Sequence, residues 1–110
     1  MHLNVLVRGQ SVTVDVPDMM LTEAQEFFKK MDKDMDQGWQ MSRTWVDNLN
    51  SEQRCQVVGD KILSAIENEN KNMLIMMAGY VLYKIPGSTA IRISEDGDIN
   101  ETEIIIGGLN

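Results

Sequence analysis

Leu3-Asn4-Val5-Leu6-Val7-Arg8-Gly9-Gln10-Ser11-Val12-Thr13-Val14-Asp15-Val16 is the stretch that decides the fold class. Leu3, Val5 and Val7 alternate with Asn4, Leu6 and Arg8, and Val12, Val14 and Val16 alternate with Ser11, Thr13 and Asp15. Alternation with period two is the pattern of half-buried strands. With Gly9-Gln10 as a two-residue turn, glycine takes the first central position that a type II′ turn requires. That turn predicts Val7 opposite Val12, Val5 opposite Val14 and Leu3 opposite Val16. All six apolar side chains then fall on one face, which a lone hairpin leaves wet and helices have to cover.

The helices follow in order. Pro17-Asp18 ends the second strand, and Thr22 with Gln25 reads as a capping box. Ala24, Phe28, Met31, Met35, Gly38, Ser42 and Trp45 then recur at spacings of four and three. They predict one continuous or bent helix from Thr22 to about Asp47. Gly38 could stop it as a C′ residue. The stripe keeps phase across Gly38, however, and a stop there places Asp32, Asp34 and Asp36 at the negative end of the helix dipole, which favours continuation. After the turn Asp47-Asn48-Leu49-Asn50-Ser51, a second helix is expected over 52–68 with Cys55, Val58, Ile62, Ala65 and Ile66 inward. Asn68 to Asn72 breaks it. A third helix over 72–85 is apolar on nearly every side, the signature of a core centre or a subunit interface. Pro86-Gly87 stops that helix, and residues 90–93 and 104–106 read as short strands around an acidic loop. The expected order is ββαααββ, an α+β fold in one domain spanning residues 1–110, with no internal repeats.

Composition narrows the function. Net charge is −7, from 17 acidic against 10 basic residues, so nucleic acid and anionic membranes are disfavoured as partners. A basic protein partner, or an uncharged one, fits better. The longest apolar stretch, Met73 to Tyr83, falls short of the ~20 residues of a membrane span. The N-terminus carries no basic segment followed by an apolar run, so no signal peptide is expected. With Cys55 as the only cysteine, an internal disulfide is excluded and the cytoplasm is the expected location.

The motifs with chemical content fail on their particulars. Asp32-Lys33-Asp34-Met35-Asp36 opens like a calcium-binding EF-hand loop. Gln37 and Arg43 occupy the sixth and twelfth positions, where glycine and a bidentate glutamate belong. Asp96-Gly97-Asp98-Ile99-Asn100 opens the same way and has Glu101 and Gly107 at those positions. With Glu95 and Glu103 it forms a carboxylate-dense loop, read as a solvated turn. His2 is the only histidine, so the commonest general base and the commonest transition-metal ligand are missing. No metal site and no cofactor are expected. Cys55 sits near the start of the second helix, on its inward side, as a buried structural thiol. Tyr80 and Lys84 have the four-residue spacing used by short-chain dehydrogenases, but no glycine-rich fingerprint precedes them and the chain is too short for a dinucleotide fold. Gly107-Gly108 behind an N-terminal hairpin resembles a ubiquitin-like tail; Leu109-Asn110 follow it, and three helices do not suit that small fold.

What remains is a surplus of 9 methionines and two tryptophans that flank Met41 and Arg43. Thioethers suit irregular cores and adaptable binding surfaces, and tryptophan and arginine are typical interface anchors. On a helix Trp39 points well away from Trp45, so at least one is expected at a surface or subunit contact. The sequence thus reads as an acidic, non-catalytic interaction or accessory protein that self-associates, with Trp39, Arg43, Trp45, Met76 and Met77 as its binding surface. The alternative is a small-molecule binder or small enzyme, its pocket between hairpin and helices and served by Tyr80, Tyr83, Arg43 or Cys55. From the failed loop positions, titration calorimetry with calcium is expected to show no micromolar binding; a saturating isotherm in that range contradicts the reading of both acidic runs.

Overall fold

A computed structural model describes residues 1–107; Gly108, the second glycine of the pair singled out above, lies outside the described residues. The fold is mixed α+β with four helices and two sheets. Strands β1 (His2–Val7) and β2 (Gln10–Asp15) form the hairpin. Helices α1 (Asp18–Glu23) and α2 (Gln25–Met35) come next, then a small hairpin of β3 (Trp39–Met41) and β4 (Thr44–Val46). Helices α3 (Ser51–Glu67) and α4 (Lys71–Lys84) lead to β5 (Ser88–Arg92), a 3₁₀ turn over Ile99–Glu101 and β6 (Glu103–Ile106). The main sheet has the order β2-β1-β5-β6, with β1 and β5 parallel at its centre and antiparallel neighbours outside.

The first hairpin forms, with a register two residues away from the expected one. Arg8 and Gly9, at φ 52° and 73°, are the central turn residues, and Val5 pairs with Val12, Leu3 with Val14 and Val7 with Gln10. Positive φ at both central residues is the type I′ turn rather than II′. A two-residue change keeps every side chain on its face, because strand side chains alternate with period two. Leu3, Val5, Val14 and Val16 are therefore buried as expected, while Val12 is left exposed. The outer face selects the register. Here His2 meets Asp15 across the strands, and Thr13 Oγ1 donates to Asn4 Oδ1 at 2.9 Å. The expected register puts Asn4 against Asp15 and Leu6 against Thr13, pairs with less to exchange.

The long helix from Thr22 to Asp47 does not form. Helix begins earlier, at Asp18 behind Pro17, so Thr22 already lies inside α1 and the capping box with Gln25 is not made. The chain pauses at Ala24 and continues as α2, which ends at Met35. Gly38 takes φ 99° and its amide bonds back to the Met35 carbonyl at 3.1 Å. The hairpin of β3 and β4 then folds over that glycine, so that the Trp45 ring lies against its Cα hydrogens. A Cβ at position 38 would sit 2.6 Å from Trp45 Cζ2. The dipole argument for continuation is met by cations from other helices, described below.

Helices α3 and α4 form where expected. Asn50 caps α3 in a full capping box with Gln53, and Asn70 caps α4 through the Met73 amide. Cys55, Val58, Ile62 and Ala65 are buried, and Ile66 is half-buried. Helix α4 packs against α1, α3, β2 and β5. Its C-terminal half, Met77 to Leu82, is fully covered, but Leu74, Ile75 and Met76 are half-buried and Met73 is 40% exposed. The fold therefore covers its most apolar helix on every side only in that half. Gly38→Ala should combine the cost of a left-handed alanine with a clash against the indole, about 2 kcal/mol in all. A lower urea midpoint at unchanged slope is the expected readout; an unchanged midpoint contradicts the packing.

Candidate functional site

The C-terminal turn of α2 carries Asp32, 18% exposed, and three groups from other helices converge on it. Lys84 Nζ reaches Oδ2 at 2.6 Å, and the Tyr80 hydroxyl donates to Oδ1 at 2.5 Å. Arg54 Nη1 donates to Oδ1 at 3.2 Å and to the Asp32 carbonyl at 2.9 Å, while its Nη2 reaches Asp36 at 2.7 Å. Tyr80 and Lys84 stand one turn apart on α4, which is why one carboxylate receives both. Burial alone raises the Asp32 carboxyl, but the hydrogen bonds from Lys84, Tyr80 and Arg54 and the charge of Lys84 outweigh it and hold it below the ordinary range. Tyr80 is fully buried, and burial together with the bond to Asp32 drives its hydroxyl far above the ordinary phenol value. Both Tyr80 and Lys84 engage Asp32, so the pair ties α4 to α2. Burial pushes the nearby Cys55 thiol up to about 12, which leaves it without thiolate character at neutral pH.

The second acidic run is likewise spent on its own backbone. Asp98 caps the 3₁₀ turn through the Asn100 amide at 3.0 Å and accepts from Ser42 Oγ at 2.7 Å. Asp96 accepts from Ser94 Oγ at 2.7 Å; that bond lowers its pKa, and its charge raises that of Glu101. Among the described residues, no group of three or more His, Cys, Asp or Glu is disposed to hold a metal ion, and no helix is long and apolar enough to cross a membrane.

A different surface is unsatisfied. Between α2, α3, α4 and β3 lies a half-open recess of about 150 Å³, walled by Phe27, Met31, Met35, Trp39, Met73 and Met77. Asp34 and Lys61 line it as its charged members, and Lys61 Nζ stands 5.5 Å from the centre of a Trp39 ring, a cation–π contact. Phe27 and Met73 are 39% and 40% exposed. A wider recess of about 530 Å³ between residues 42–44 and the 96–100 loop is polar and open to water.

Of the residues singled out by sequence, Trp39 and Met77 meet in the apolar recess. Met76 is half-buried on α4 and does not line it, and Arg43 lies at the β3–β4 turn in the polar recess. Trp45 points away from Trp39, as expected, but because β3 pairs with β4 in a hairpin: Trp45 lies opposite Gln40 and Trp39 opposite Val46. It is 55% exposed, and its Nε1 donates to Asp47 at 2.7 Å. Tyr80 and Cys55 are sealed in the core, so the polar groups named for an enclosed pocket are not gathered around one. Phe27, Met31, Lys61 and Met73 were not singled out for the surface. Met31 and Met73 belong to the methionine surplus that hints at it; Phe27 lies off the Phe28 stripe and carries no such signal. The chain matches no protein-family model, no curated protein and no solved structure.

Asp32→Asn should cost about 2 kcal/mol at neutral pH, less than the 3–5 of a fully buried pair because part of the network touches water. An ordinary unfolded carboxyl takes its proton near pH 4, above the pH at which folded Asp32 does. The contribution is thus complete above that pH and lost as pH falls through the lower folded value. Urea titrations of both proteins should show the gap closing in acid; a gap constant down to pH 3 contradicts the assignment.

Proposed function

We propose that this is a non-catalytic interaction protein of the cytoplasm, whose recess between α2 and α4 seats one bulky apolar side chain of a protein partner. One observation carries the reading: Phe27 and Met73, each about two-fifths exposed, stand at a methionine-lined hollow that the rest of the fold leaves open. Flexible thioethers adapt to an incoming side chain at little cost. Size favours this over a ligand site. Small-molecule and cofactor sites run to ~300–1,000 Å³, whereas about 150 Å³ takes one ring or one branched side chain. The groups with catalytic chemistry support the same choice. Lys84, Arg54, Asp32 and Asp36 neutralise one another, Tyr80 donates to Asp32, and Cys55 is a buried thiol. A net charge of −7 favours a protein over nucleic acid or an anionic bilayer. The single buried thiol suits a reducing compartment.

Photo-cross-linking tests this directly. A benzophenone amino acid at Met73, in cells that naturally make the protein, should yield a discrete protein adduct; the same probe at Thr13, on the outer sheet face, should not. No adduct from position 73, or equal adducts from both positions, contradicts a docking role for the recess.

A further inference from the structure

We infer that the occupant of this recess is a second copy of the chain, docked about a two-fold axis through the exposed face of α2. The inference rests on reading the recess as a docking site. Its first support is size. A cavity of about 150 Å³ accepts a benzene ring, and the chain presents one phenyl ring at the recess itself. Phe27 is 39% exposed, while the other phenylalanine, Phe28, is fully buried.

The second support is the order of charges along the helix. On α2, Glu26 precedes Phe27, Lys29, Lys30 and Lys33 follow it with Asp34 next after them, and all five charged side chains are exposed. A two-fold axis across α2 sets the two helices antiparallel. Glu26 of each α2 then lies beside Lys30 of the other, and the pair occurs twice. A parallel arrangement opposes like charges instead. The register that joins Glu26 to Lys30 also brings each Phe27 within one helical turn of the other copy's Met31, at the mouth of the recess. The like net charge of two copies, −7 each, works against association. The apolar contact and the local pairs offset it, and the charge order fixes the orientation rather than supplying most of the affinity.

Sedimentation equilibrium of the full chain over ~1–300 μM should give a mass rising from monomer to dimer. Phe27→Ala should weaken the dimer at least about tenfold, as expected for loss of a seated anchor. Glu26→Lys and Lys30→Glu should each weaken it alone. An equimolar mixture of those two variants should dimerise more tightly than either does separately, because opposite charges then face each other at both positions. These side chains are exposed, so circular dichroism should be unchanged. A monomer mass throughout for the unmodified chain overturns the inference, as does a dimer indifferent to all three substitutions. A monomer whose position-73 probe joins a different protein overturns the second copy as occupant and leaves the docking site standing.

Discussion

Asp32 is the point on which three helices are fixed. Its carboxylate ends α2, and the groups it accepts from belong to α3 through Arg54 and to α4 through Tyr80 and Lys84. Two cations and two carboxylates, with Asp36 as the second, cancel in a partly buried space. This is the condition under which charge is tolerable there. The arrangement also resolves the helix terminus. Carboxylates in the last turn of α2 oppose its dipole, and the guanidinium and ammonium supplied by the neighbouring helices neutralise them. Once these links form, Phe28 is held edge-on to Tyr80, 5.9 Å between centroids, and close to Tyr83 at 5.1 Å. That stack closes the apolar side of the same helix contact.

With α2 stopped there, the chain has to turn back, and Gly38 supplies the left-handed backbone that lets it. The returning hairpin lays Trp45 over the glycine and sends Trp39 the other way, towards α3 and α4. The recess exists because of this. Trp39 forms one wall, the unburied face of α2 another, and the uncovered first turns of α4 a third. A continuous helix through residue 38 would have removed that wall.

The two acidic runs show the same physics in different settings. Both begin like cation-binding loops, and in both two carboxylates are taken up by the protein itself, Asp32 and Asp36 in the first and Asp96 and Asp98 in the second. In the first, Arg54 and Lys84 hold the charge; in the second, the Asn100 amide and the hydroxyls of Ser42 and Ser94 donate to the carboxylates. Beside them, the recess leaves apolar surface open.

Local pattern sufficed for much of this. Alternation over residues 3–16 dictated a hairpin and its buried face, because side-chain direction has period two whatever the turn. The register needed the cross-strand partners of the polar face, His2 with Asp15 and Asn4 with Thr13. The turn at 47–51 and the polar break at 68–72 placed α3 and α4 within a residue or two, and Asn50 and Asn70 cap them there, since capping is a contact between near neighbours. Of the surface expected at Trp39, Arg43, Trp45, Met76 and Met77, only Trp39 and Met77 meet in the recess. The end of α2, the hairpin after it, the brace at Asp32 and the recess were decided by tertiary structure alone. Asp32 and Lys84 are 52 residues apart, and Trp45 reaches Gly38 only after the chain reverses. Sequence spacing cannot state which distant cation will cancel a charge or which ring will cover a glycine. Those energies exist only when the chain has already brought the groups together.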